Sequence, residues 1–204
     1  MRYFLFLLII FSCSNEIKKP KNIFINIELK ESKNNEVILE KINSNYSIEL
    51  IKSDFIKNDF LVMDVIVSEP SLYRLNIKGE KTLDIILEDS DIDINLNSNP
   101  YSVSGSKGTD YLMDIKEYIS DYQNKTYELN KNFILANQNN DKQKIISIQN
   151  ESLELRNTFQ KDFKKLLWNM DNSIAVLFVA DYLKIEDHYD FWDSLMIRYD
   201  KNLG

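Results

Sequence analysis

Cysteine, glycine, histidine and proline are all scarce in this chain of 204 residues, which has 1 Cys, 4 Gly, 1 His and 3 Pro. A single cysteine allows no intramolecular disulfide and no thiol pair for redox chemistry. So few glycines leave no Gly-rich phosphate loop and no G-x-S-x-G elbow. A lone histidine, His188, has no second His or Cys with which to build a zinc site. It stands among Glu186, Asp187 and Asp190, a pattern that suits a solvated helix start. Positive charge is also in deficit, with 25 Lys and Arg against 32 Asp and Glu, for a formal charge of −7. That balance disfavours nucleic acid as a partner, since binding it needs a basic face. No uninterrupted apolar run approaches the roughly 20 residues of a membrane span.

The longest apolar run lies at the start. Met1-Arg2 precedes Tyr3 to Phe11, then Ser12 and Cys13. A basic start, a brief apolar stretch and a small residue before the cut make a secretory signal, expected over residues 1–12. Ile10-Phe11-Ser12-Cys13 resembles a lipobox, with Phe11 bulky for its place. The thiol of Cys13 would take a diacylglyceryl group, and two or more acyl chains hold a protein stably on a bilayer. The expected localisation is therefore the cell envelope, lipid-anchored at the periplasmic face or the outer-membrane surface. Removal of the signal takes Arg2 with it and moves the formal charge from −7 to −8. Residues 13–22 read as a polar, lipidated tether.

Residues 23–108 have period two. Ile23, Ile25 and Ile27 alternate with Phe24, Asn26 and Glu28, and Leu61, Met63, Val65 and Val67 repeat the pattern. Tyr73, Leu75 and Ile77, then Leu83 to Leu87, then Ile92, Ile94 and Leu96 continue it, and Tyr101 and Val103 close it. Breaks such as Lys33-Asn34-Asn35, Asn43-Ser44-Asn45, Lys78-Gly79-Glu80 and Asn97 to Pro100 suit turns. About seven to nine short strands at this spacing predict an antiparallel β-sandwich or an open barrel. Residues 109–204 have a helical period. Thr109 or Asp110 can cap a helix striped by Tyr111, Ile115, Tyr118 and Tyr122. A second helix carries Ile145, Ile148, Leu155, Phe159, Phe163 and Leu166. The two form a hairpin across Asn137 to Asn140. Asn172 or Ser173 caps a short apolar helix, Ile174 to Leu183, and a last helix spans roughly Tyr189 to Tyr199. The fold class expected is α+β, β-rich first and helical second.

Other constellations carry little chemistry. Asp89, Asp91 and Asp93 look like the start of a calcium loop, but that loop needs Gly at its sixth position and Glu at its twelfth. Ile94 and Pro100 occupy those places, so an acidic turn leading into a strand is expected. The pairs Glu151/Glu154 and Asp187/Asp190 lie at helical spacing and read as solvated surface. Aromatics of the helical half, including Trp168, Phe178, Tyr182, Phe191 and Trp192, read as core; a ligand groove between sheet and helices is the alternative. No cofactor and no metal are expected.

Three stretches resemble a known family. They are Glu69-Pro70-Ser71-Leu72-Tyr73-Arg74-Leu75, Ile85-Ile86-Leu87-Glu88-Asp89-Ser90-Asp91-Ile92 and Val103-Ser104-Gly105-Ser106-Lys107-Gly108. Each is similar to the N-terminal modules of lipid-anchored thioredoxin-like proteins, the TlpA- and ResA-type thiol-disulfide oxidoreductases of Gram-negative bacteria. Asn172-Ser173-Ile174-Ala175-Val176-Leu177-Phe178 looks like the helix start that precedes the redox domain in that family. The resemblance implies a signal, a lipid cysteine, a β-rich domain of unknown function and a helical segment, followed by a thioredoxin fold with C-x-x-C. This chain has no C-x-x-C, so the family's redox residues have nothing here to map onto. The expectation is a non-catalytic accessory module, read from a truncated copy of a longer protein. Its partners would be the membrane through lipid on Cys13 and a downstream thioredoxin-like domain or separate protein. The alternative is a complete envelope lipoprotein that binds a ligand or protein.

Overall fold

A computed structural model describes residues 19–31, 34–43, 45–98, 100–171 and 173–203. The signal and Cys13 lie outside the described residues, as do Lys33, Ser44, Asn99 and Asn172 of the expected turns and cap. Residues 21–104 form eight strands: β1 (Lys21–Glu28), β2 (Glu36–Ile42), β3 (Ile48–Phe55), β4 (Phe60–Val67), β5 (Ser71–Ile77), β6 (Lys81–Leu87), β7 (Ile92–Asn95) and β8 (Ser102–Ser104). Two helices, α1 (Lys107–Gln138) and α2 (Lys142–Asn169), make a hairpin. A 3-10 segment, Ile174–Tyr182, and α3 (Tyr189–Leu203) follow. The α+β class is as the periodicity predicts. The first strand begins at Lys21, so the final residues assigned to the tether are already paired backbone.

The strands make two four-stranded sheets, ordered β4-β1-β7-β8 and β3-β2-β5-β6. Alternation explains how they stack. Ile23, Ile25 and Ile27 of β1 and Met63, Val65 and Val67 of β4 point one way; Val37, Leu39, Leu75, Ile77, Leu83 and Ile85 of the other sheet meet them. This is a sandwich with one shared core, and no barrel closes. One expectation needs correction: the sheets are not wholly antiparallel. β1 pairs with β7 in parallel, Ile25 against Ile92 and Ile27 against Ile94. Parallel neighbours need a long crossover, and the intervening strands β2 to β6 supply it.

The β5–β6 half of the second sheet is covered on both faces, which is why Leu83 to Leu87 is a near-continuous apolar run, whereas β3 is largely exposed. Leu83, Ile85 and Leu87 enter the sandwich core, whereas Ile86, with Leu72 of β5, faces the helices. There Leu112, Ile115 and Ile119 of α1 and Phe159, Phe163 and Leu167 of α2 cover them. Ala175, Val176 and Val179 of the 3-10 segment and Trp192 and Leu195 of α3 complete this core. The segment over Ile174–Tyr182 is 3-10 rather than α-helical. Its residues are apolar nearly all round, so it is held by burial and has no single stripe to set a helical face. Among the described residues no helix is long and apolar enough to cross a membrane.

Candidate functional site

The junction between β6 and α1 is closely fitted. Ser106, rather than Thr109 or Asp110, is the N-cap: its hydroxyl accepts from the Thr109 amide at 3.0 Å and donates to the Ile86 carbonyl at 2.6 Å. Thr109, fully buried, instead accepts from the Ile86 amide at 2.9 Å. The Gly108 amide donates to the Glu88 carboxylate at 3.2 Å, a favourable place for an anion at a helix start. A Cβ on Gly108 would stand 2.8 Å from both Ile86 Cγ2 and a Glu88 oxygen. Gly105 has φ of +97° and touches the Asp91 backbone, a combination only glycine tolerates. Ser90 donates to the Gly105 carbonyl, and Lys21 donates to the Asp89 carbonyl. The start of β1 and the start of α1 therefore lie at one end of the molecule.

From that end α1 runs back along β6, with Lys116 meeting the Asp84 carboxylate at 3.0 Å. At about 1.5 Å per residue its 32 residues extend about 48 Å. Ile119 is the last α1 residue buried in the core shared with Leu72 and Ile86, with Tyr122 half-buried against it; Leu129 and Ala136 belong to a separate, smaller cluster within the hairpin. The bases of the two helices are tied by Lys107 and Asp171. The Lys107 ammonium, with help from the Tyr111 hydroxyl, holds the Asp171 carboxyl below the ordinary carboxylate range.

A groove of about 430 Å³ lies between sheet and helical layer. Ile42 and Leu72 form one wall; Ile174, Leu177 and Phe178 form the other. Lys41 and Glu69, 3.7 Å apart, stand at its rim with Tyr46. Its size and apolar lining suit a small amphipathic molecule or a peptide side chain. Glu69, Pro70, Ser71 and Leu72 thus border a concave surface. The Ser71 hydroxyl in its lining donates to the Glu69 carbonyl at 3.3 Å.

The acidic turn behaves as a strand entry. Asp91 accepts from the Phe24 amide and Asp93 from Asn26 Nδ2, both at 2.8 Å, and no metal-binding cluster exists among the described residues. His188 sits at the start of α3, where its carbonyl accepts from the Phe191 and Trp192 amides at 3.1 and 3.2 Å. Partial burial, then the nearby Lys164 ammonium, pushes its pKa down. Glu151, Glu154, Asp187 and Asp190 are exposed. Tyr118, Tyr122, Phe159 and Phe163 are core: their rings stack with centroids 4.0 to 5.9 Å apart. Trp192 is buried and donates from Nε1 to the Leu183 carbonyl at 2.8 Å. Trp168 and Tyr182 depart from that pattern, being 42% and 46% exposed.

The pattern of core stripes does not reveal the outer faces of the hairpin. Tyr127 and Ile134 on α1, and Ile146 and Leu153 on α2, are all at least half exposed. Their signal in the sequence is a seven-residue spacing off the core stripe on each helix. No family model matches the chain, and neither a curated protein nor a solved structure is similar to it.

Proposed function

We propose that the chain is a lipid-anchored, extracytoplasmic, non-catalytic module that positions or serves a thiol-disulfide oxidoreductase. The observation that carries the anchor is Ile10-Phe11-Ser12-Cys13 behind a short apolar run. A thiol spent on lipid leaves this chain no thiol for disulfide exchange. The geometry of the described residues supports a display role. From Cys13 to Lys21 the chain reaches at most about 28 Å, and Lys21 adjoins the base of the helical hairpin. A module held at that end presents the free part of the hairpin away from the bilayer. The oxidoreductase would be a thioredoxin-like domain on the same polypeptide or a separate protein; the three stretches similar to that family support this reading.

A second reading is a complete envelope lipoprotein that binds a ligand or protein partner. The groove between Leu72 and Leu177 favours it. The apparent mass of the native protein in membranes, read with an antibody to this module, separates the two. A species larger by a thioredoxin fold supports the first reading, and one of this chain's own size supports the second. For the anchor, Cys13→Ser should move the protein from the membrane to the soluble fraction, and unchanged retention would overturn it. This chain should leave insulin unreduced in the presence of dithiothreitol beyond the uncatalysed rate; acceleration would overturn the non-catalytic assignment.

A further inference from the structure

Beyond Ile119 the hairpin carries a groove along each of its two broad faces. The grooves share only Leu129 and Leu155, the seam between the helices. The first, about 510 Å³, contains Thr126, Asn130, Gln149 and Arg156, with no carboxylate in its lining. The second, about 550 Å³, is rimmed by Glu128, Glu151 and Glu154; Lys125 is the one cation in its lining, and Lys131 pairs with Glu128 at 3.8 Å, which leaves Glu151 and Glu154 as the acidic part of the rim. Arg156, Glu151 and Glu154 take part in no ion pair among the described residues. Thr126 Oγ1 is enclosed in the first groove without a hydrogen-bond partner.

Four exposed apolar side chains lie along the outer edges of this part of the hairpin, one of them in the Arg156 groove. Leu153 lines it, and Ile146 precedes Leu153 by seven residues on the same stripe. Tyr127 and Ile134 flank Asn130 at −3 and +4, the spacings that share a helix face. The stacked pair Tyr122–Phe159, with centroids 4.0 Å apart, sets the helices level. Tyr127 then stands within one residue of Leu153, and Ile134 within one of Ile146. These are two apolar rungs about 10 Å apart along the axis.

We infer that a second copy of this chain covers this face, in a front-to-back arrangement. The Arg156 groove of one hairpin receives the acidic rim of the next, so Arg156 meets Glu151 and Glu154. Charge selects this geometry. Two Arg156 faces brought together would oppose cation to cation with no carboxylate between them, whereas front and back are complementary. A front-to-back contact is heterologous and extends into short chains instead of closing a pair. A footprint of about 20 Å by 20 Å buries about 800 Å² in total, the size of a weak, reversible contact. It weakens with salt, because its ion pairs stay near water. The inference does not depend on the lipid anchor.

The test is disulfide trapping in cells that express the full chain, with the parent, whose sole cysteine is Cys13, as baseline. Leu153→Cys together with Thr158→Cys places one thiol on each face. The combined variant should give a ladder of dimers, trimers and larger species under mild oxidation, and either single variant none above baseline. Arg156→Glu in that background should cut the ladder at least tenfold. Adding Glu151→Arg and Glu154→Arg should restore it. Ser152→Cys with Thr158→Cys, again one residue from each groove, is a second pair that guards against a local failure of the first. The inference is overturned by no ladder from either pair, by dimers from Leu153→Cys alone, or by a ladder indifferent to Arg156→Glu.

Discussion

The two halves of the helical hairpin share a backbone and differ in almost everything that stabilises it. Near the sandwich, Leu112, Ile115 and Ile119 rest on Leu72 and Ile86, and four aromatic rings stack between the helices. Toward the tip, Leu129, Ala136 and Ile148 are the buried residues, with Phe133, Ile145 and Leu155 half-buried against them. The helical spacing of apolar residues continues through both halves, but only the first has a third layer to press against. Helix length in this molecule is therefore no measure of local stability, because most helical stability comes from packing of an apolar face. The end of the hairpin belongs to the low-stability part of the molecule.

The largest expected effect probes the near half. Phe163→Ala opens a cavity at a fully buried site and should cost about 3–5 kcal/mol in urea unfolding, lost across the whole molecule. Next is the junction. Gly→Ala inside a helix ordinarily gains up to about 1 kcal/mol. Gly108→Ala should instead lose about 1–3 kcal/mol, because the new methyl overpacks against Ile86 and Glu88. A gain would show that the junction yields easily. In the far half, Ile148→Ala should cost about 2 kcal/mol, the low end for such a change, since the site can collapse. Hydrogen exchange should locate that loss in residues 125–150 and leave β5 and β6 protected. A uniform loss would break the contrast between the halves.

The smallest effect concerns Lys107 and Asp171, which are both largely exposed. Asp171 is held below its ordinary value, about 3.9, mainly by the hydrogen bond from Lys107. A lowered folded-state pKa contributes stability above the unfolded value, and that contribution is lost as pH falls through the folded value. Asp171→Asn should thus remove a small part of the stability lost on acidification below about pH 4. Molar salt should erase the difference between the two proteins.

Much of this was legible in single segments. Ile23, Ile25 and Ile27 announce a strand and its buried face, and Phe159 and Phe163 announce a helix stripe. Pairing was not: nothing within β1 or β7 states that they lie side by side in parallel, because partner choice is a property of the whole sheet. Thr109 looks like a helix cap, yet Ser106 takes that role while Thr109 is spent on Ile86; the competition is settled by a strand some twenty residues earlier. A groove between sheet and helices was legible only as an alternative, without its residues, since its walls come from β2, β5 and the 3-10 segment.

The parallel pairing of β1 with β7 also sets an order of assembly. Sheet β3-β2-β5-β6 contains the antiparallel neighbours β2–β3 and β5–β6, which join after short turns. Strand β1 lies between β4 and β7, and its contact from Ile25 to Ile92 spans 67 residues. Closing so long a loop is slow relative to closing a hairpin. Synthesis and export both deliver β1 first, so this strand waits with one edge open until residues 92–95 arrive. The earliest segment of the sandwich to be made is among the last to be completed, and a change that hastens aggregation of the nascent chain should act through Ile23, Ile25 and Ile27.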